Sequence, residues 1–277
     1  MLPIIEKSDP GLVPGIIDFQ YTLFGARRPS WELAGPGRKG ILPGTKRRDC
    51  TCIAVSCLLW HTIAMEFAEL LAIVGDQPVF ESGLLLAGNG NPNNIRRQLS
   101  RWVRAGRLYQ LRRGVYALAP PYQKVKPHPF VVANRMVPAS YVSCQSALAH
   151  YTLIPEYVPV VISVTTVRPA RWTTPLGAYI YRHLRPGLFS GYRQLNFGPA
   201  QAAFLAWPEK ALLDLIYLTP QSDRPTYLEE LRLQNLFELH FEELHRLAAL
   251  FNMPKIHRAV DVIERLAREE REEFIQT

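Results

Sequence analysis

Between Ser82 and Pro208 the sequence holds a single carboxylate, Glu156, against fifteen lysines and arginines. So one-sided a field excludes a cation-binding surface in this span and favours a polyanionic partner, a phosphate backbone first and anionic lipid second. Cysteine is also scarce. Cys50, Cys52, Cys57 and Cys144 form no CxxC pair, and His61 completes no zinc spacing, so no metal site is expected. This usage fits a reducing, cytoplasmic compartment. No apolar run approaches the roughly 20 residues of a membrane helix, so no membrane partner is expected. Walker and GxSxG loops are missing, and the seven histidines include no HExxH.

With 277 residues, 48% of them hydrophobic, the chain exceeds a usual single core and suggests two domains. Residues 1–64 interleave Pro3, Pro10, Pro14, Pro29, Pro36 and Pro43 with seven glycines and show no helical or strand period. KRRDCTCIAVSCLLWHTIA (46–64) mimics a signal sequence but lies too far from residue 1 and is too short to span a bilayer. Two readings stay open: a disordered arm, or an extension upstream of a true start at Met65.

From Met65 onward regular periods appear. EFAELLAIV (66–74) and VFESGLLLA (79–87) read as short helices. Asn91 then caps a third helix with Pro92 in its first turn, running to about Ala105 and stopping at Gly106. On a helical wheel Ile95, Leu99, Trp102 and Val103 fall on one side, with Trp102 expected in the core. Asn94, Arg97, Arg101 and Arg104 fall on the other, Arg96 lies at the flank, and Arg107 follows the cap. RLYQLRRGVYALAP then alternates on both sides of Arg112, Arg113 and Gly114, which predicts two strands and a tight turn. Three short helices and a hairpin make a winged helix-turn-helix over 65–122.

Stretch 91–118 carries seven arginines and no carboxylate. A merely solvated helix face normally intersperses acids as i,i+4 partners. Arginine's planar fork suits guanine edges or phosphate, asparagine pairs with adenine, and a cationic wing tip can reach backbone or minor groove. The expected DNA-binding residues are therefore Asn94, Arg96, Arg97, Arg101, Arg104, Arg107, Arg112 and Arg113.

Residues 123–277 read as a mixed α/β domain with a small sheet and C-terminal helices, giving an α+β chain overall. A helix around Ser146–His150 precedes VPVVISVTT, a β-branched strand, and AYIYRHL (178–184) alternates as a second strand of the same sheet. WPEKALLDLIYL opens a helix at Pro208, with Glu209 at its positive end and Leu212, Leu215 and Ile216 facing inward. A metal-dependent nuclease built on Glu209, Lys210 and Asp214 would need more converging carboxylates, so neither a catalytic residue nor a cofactor is expected. His183, between Arg182 and Arg185, reads as basic surface. The tail from Thr226 to Phe274 has helical leucine spacing on both sides of Pro254. It is expected to pack on the sheet, while the EREE run is the solvated face of a helix.

The segment VFESGLLLAGNGNPNNIRRQLSRWVRAGRLYQLRRGVYAL resembles the N-terminal winged helix of the AbiEi family of antitoxin regulators. SCQSALAHYTLIP (143–155), VISVTTVRPARW (161–172) and AFLAWPEKALLDLIYL (203–218) resemble that family's second domain. The resemblance implies a protein that binds operator DNA upstream of its own operon and represses it, encoded beside a nucleotidyltransferase-like toxin that it counters without a stable complex. Residues 1–64 depart from the family pattern. The favoured expectation is thus a DNA-binding autorepressor, acting as a dimer or cooperatively on inverted repeats. The other is an antitoxin whose basic middle contacts an acidic toxin surface or competes for the toxin's nucleic-acid substrate.

Overall fold

A computed structural model describes residues 65–87 and 91–276; the arm or extension expected over 1–64 lies outside them. The first elements are α1 (Phe67–Val74), β1 (Phe80–Glu81), α2 (Ser82–Leu86), α3 (Pro92–Arg104), β2 (Leu108–Arg112) and β3 (Val115–Leu118). A three-stranded antiparallel sheet, in the order β1-β3-β2, closes this part. The expected helix over 79–87 is shorter than its pattern. Phe80 and Glu81 pair with Tyr116 and Val115, and the helix begins only at Ser82. Backbone groups that a local helix would satisfy are taken by a strand more than thirty residues away, which no local period reveals.

Strand β3 departs from the expected inside-outside alternation because it is buried on both faces. Tyr116 and Leu118 join a small core with Leu70, Phe80, Leu99, Trp102 and Leu108, whereas Val115 and Ala117 join the large core of the rest of the chain, as does Leu111 of β2. One strand therefore belongs to two cores. At about 1.5–3 kcal/mol for each fully buried large apolar side chain, Leu111 and Val115 alone give this junction substantial cohesion.

The second part contains α4 (Pro129–Met136), β4 (Ser140–Val142), α5 (Cys144–His150), β5 (Val160–Thr165), β6 (Ala170–Thr174), β7 (Gly177–His183), β8 (Tyr192–Asn196), β9 (Ala202–Ala206) and α6 (Pro208–Leu218). Its six-stranded mixed sheet runs β6-β7-β5-β4-β9-β8. The expected strands β5 and β7 do share it, as parallel neighbours from Val160↔Ala178 to Thr165↔His183.

Register shows how the sheet is covered. Tyr141 lies opposite Val164, and Val164 opposite Arg182, so these side chains share a face while Tyr181 points to the other. Tyr141 donates to Asp214 of α6, and Tyr181 donates to the Ala133 carbonyl of α4. Helices α4 and α6 therefore cover opposite faces. The chain is α+β, with helices on both sides of one mixed sheet.

The tail is helical on both sides of Pro254, with the first half in pieces: α7 (Pro225–Glu230), a 3₁₀ turn (Leu236–Glu238) and α8 (Phe241–Phe251), followed by α9 (Pro254–Gln276). The break is built around Asn235 in the left-handed region (φ 56°), where the Glu270 carboxylate accepts from the backbone N–H of Asn235 (2.6 Å) and Leu236 (2.7 Å). Helices α8 and α9 stack on α6, which stands between them and the sheet. No helix among the described residues is long and apolar enough to cross a membrane.

Candidate nucleic-acid interface

Helix α3 starts where its cap chemistry requires. The Asn91 side chain accepts from the Asn93 N–H at 2.9 Å, and Pro92 occupies the first turn without a hydrogen bond to lose. Ile95, Leu99 and Trp102 turn inward, with Trp102 5% exposed and its ring edge-on to Phe67. Asn94, Arg96, Arg97, Arg101 and Arg104 are all exposed on the remaining surface. Burial of one face fixes the orientation of the other, so apolar spacing positions the arginines.

The neighbours of these arginines are neutral. Arg96 donates to the side-chain Oδ1 of Asn93 and Arg101 to the side-chain Oε1 of Gln98, both at 3.4 Å, and no ion pair among the described residues includes an arginine of α3. Arg101 and Arg104 sit in the last turn, where a cation also interacts favourably with the helix dipole. That structural reason does not extend to Arg96 and Arg97 near the helix start.

The other three arginines separate. Arg107 is exposed but holds its guanidinium 5.1 Å from the centre of the Phe67 ring, a cation–π contact that gives it work within the fold. Arg113 is exposed at the turn, next to Gly114 whose φ of +84° suits that turn. Arg112 is only half exposed; its Nε is buried without a hydrogen-bond partner, and β2 packs against β6. The structure thus gathers Asn94, Arg97, Arg101 and Arg104 on one helix face, leaves Arg96 exposed at its flank and adds Arg113 at the hairpin tip. It turns Arg112 toward the second part of the molecule.

The carboxylates weighed as nuclease residues occupy closed positions. Glu209 is buried and accepts from the His240 N–H at 2.8 Å. Asp214 accepts from Tyr141 (2.9 Å), Ser143 (2.8 Å) and Lys210, and both Lys210 and Asp214 are at most 1% exposed. Burial pushes the Asp214 carboxyl up while Lys210, Ser143 and Tyr141 pull it down. The ammonium of Lys210 also lies over the rings of Phe251 (4.9 Å) and Tyr141 (5.7 Å). Every strong group at this point has a partner inside the protein, which describes an internal brace. Beside it, burial and then the Asp214 charge push the Cys144 thiol up to about 12, so it stays protonated at neutral pH.

His183 is exposed, as a basic-surface role requires, with Nδ1 3.2 Å from the Val167 carbonyl. Among the described residues, no group of three or more His, Cys, Asp or Glu side chains could hold a metal ion. Sequence reasoning missed a cavity between β1 and the β8–β9 hairpin, because its residues come from positions 81, 134–138 and 194–204. No family model and no curated protein matches the chain.

Proposed function

We propose that this protein is a DNA-binding repressor whose residues 65–122 act as a winged helix-turn-helix. In this reading α3 is the recognition helix, the β2–β3 turn is the wing, and β1 completes the small sheet. Asn94, Arg97, Arg101 and Arg104 read the operator, with Arg96 at their flank and Arg113 at the tip of the wing. The observation that carries it is the exposed arginine face of α3, free of ion pairs among the described residues and backed by a buried apolar face. B-DNA's major groove admits one helix of this kind. The resemblance to AbiEi antitoxin regulators supports the further reading that the DNA is the gene's own operator and that a nucleotidyltransferase-like toxin is encoded alongside.

The test is fluorescence anisotropy of the full chain on its own upstream DNA and on scrambled DNA of equal length, from about 50 to 200 mM salt. Preference for the upstream fragment that persists at the higher salt is the expected result. Equal, steeply salt-sensitive binding to both fragments would reduce the arginines to a general electrostatic surface and favour the antitoxin acting through toxin contact.

A further inference from the structure

A cavity of about 720 Å³ opens where β1 meets the C-terminal end of α4 and the β8–β9 hairpin. Its volume falls within the roughly 300–1,000 Å³ typical of small-molecule sites. Four polar side chains on its wall, Glu81, Arg135, Gln194 and Asn196, make no hydrogen bond or ion pair among the described residues, and Phe204 adds an exposed ring. The frame behind them is fixed. Asn134 donates to the Ser140 carbonyl and accepts from the Phe204 N–H, bridging β4 and β9, and Gln201 accepts from the His128 N–H while donating to the Lys126 carbonyl.

Phe204 is the unusual member of the wall. Although a large apolar residue, it is 39% exposed, with its ring held edge-on by Tyr192 at 5.7 Å. Gln194 lies directly opposite it across the β8–β9 ladder, and Asn196 follows on the same face. A flat apolar ring flanked by two amides, each with donors and an acceptor, is complementary to a nucleobase presenting its face and its hydrogen-bonding edge. Arg135 offers a fork for phosphate. Glu81 would repel a bare anion in the same space, yet it can accept from the hydroxyls of a sugar. A nucleotide keeps those two charges apart and uses both.

We propose that this cavity binds a purine nucleoside monophosphate, with the base on Phe204 and against Gln194 and Asn196, the sugar hydroxyls at Glu81 and the phosphate at Arg135. Because Glu81 belongs to β1, which pairs with β3, the ligand would touch the same small sheet that supports the arginine helix. The inference stands independently of the DNA reading, since neither the cavity nor its test involves DNA.

Isothermal titration of the full chain with GMP and AMP, and with ribose 5-phosphate as the base-free comparison, decides it. At least one nucleotide should bind with a dissociation constant below about 1 mM and more tightly than ribose 5-phosphate. Phe204→Ala should weaken that binding at least about fivefold, the lower range for losing a base–aromatic stack. Phe204→Leu, which keeps an apolar contact for Tyr192 but removes the flat ring, should weaken it similarly and guards against a folding defect. No binding by either nucleotide, equal affinity for ribose 5-phosphate, or full affinity in a folded Phe204→Leu variant would overturn the proposal. Much tighter binding of a single-stranded oligonucleotide than of either nucleotide would overturn the assignment to free nucleotides.

Discussion

Asp214 and Lys210 form a pair four residues apart on α6 with almost no access to water. Removing one partner leaves an uncompensated buried charge, so Asp214→Ala should cost about 3–5 kcal/mol in urea unfolding. Replacing both, as in Lys210→Met with Asp214→Leu, should recover much of that loss. A double variant as unstable as the single one would show that Tyr141 and Ser143, not the ion pair, need the carboxylate. On α3, Arg97 lacks the helix-dipole rationale of Arg101 and Arg104 and is the sharper probe of DNA reading. Arg97→Ala should lower affinity for the upstream DNA at least about fivefold, corresponding to the lower end of about 1–3 kcal/mol for a base-edge contact. Arg112→Ala should change thermal stability more than DNA affinity, because Arg112 is half-buried beside the second part of the chain. Similar losses of affinity in both variants would remove the distinction drawn between them.

Helix α4 begins at an unusual cap: the Nδ1 of His128 accepts from the Phe130 N–H at 3.3 Å, and its ring stacks on Phe197 at 4.2 Å. Burial, and then the neighbouring His150, lower the His128 pKa from the ordinary 6.5. As the pH falls below about 6.5 the unfolded chain therefore takes up protons first. The stabilisation is present above that value and is lost as the pH drops through the folded-state pKa. The urea midpoint should be lower at pH 5 than at pH 7, and His128→Asn, which keeps a capping acceptor but cannot titrate, should show a smaller drop. An unchanged pH profile in that variant would exclude His128 as a source. Elements differ in how legible they were for related reasons. Helix α3 announces itself because Asn91, Pro92 and Gly106 mark its ends locally. The break at Asn235 does not, since the Glu270 carboxylate that stabilises it lies 35 positions away.

The two cores meet through β3, so the arginine helix is mounted on a sheet that shares side chains with the larger core. Hydrogen exchange followed by mass spectrometry should find the β3 amides protected together with those of β4 and β5, and more strongly than those of α1. Exchange of β3 in step with α1 would mean that the first part opens as an independent unit. A shared strand also gives events at the Glu81 cavity a physical route to α3 through β1 and β3.

Local chemistry was enough to establish the one-signed charge of residues 82–208, the capped helix with opposed apolar and arginine faces, the glycine turn of the hairpin, and the extended character of β5 and β7. Each follows from periodicity, capping or turn preference, which act over a few residues. Long-range packing settled the rest. It drew Phe80 and Glu81 out of a helix and into a strand, buried both faces of β3, and turned Arg112 inward while leaving Arg113 exposed. It also closed Glu209, Lys210 and Asp214 within the core and assembled a cavity from residues more than a hundred positions apart. Pairing and burial between distant segments depend on which surfaces meet, and no local period encodes that meeting.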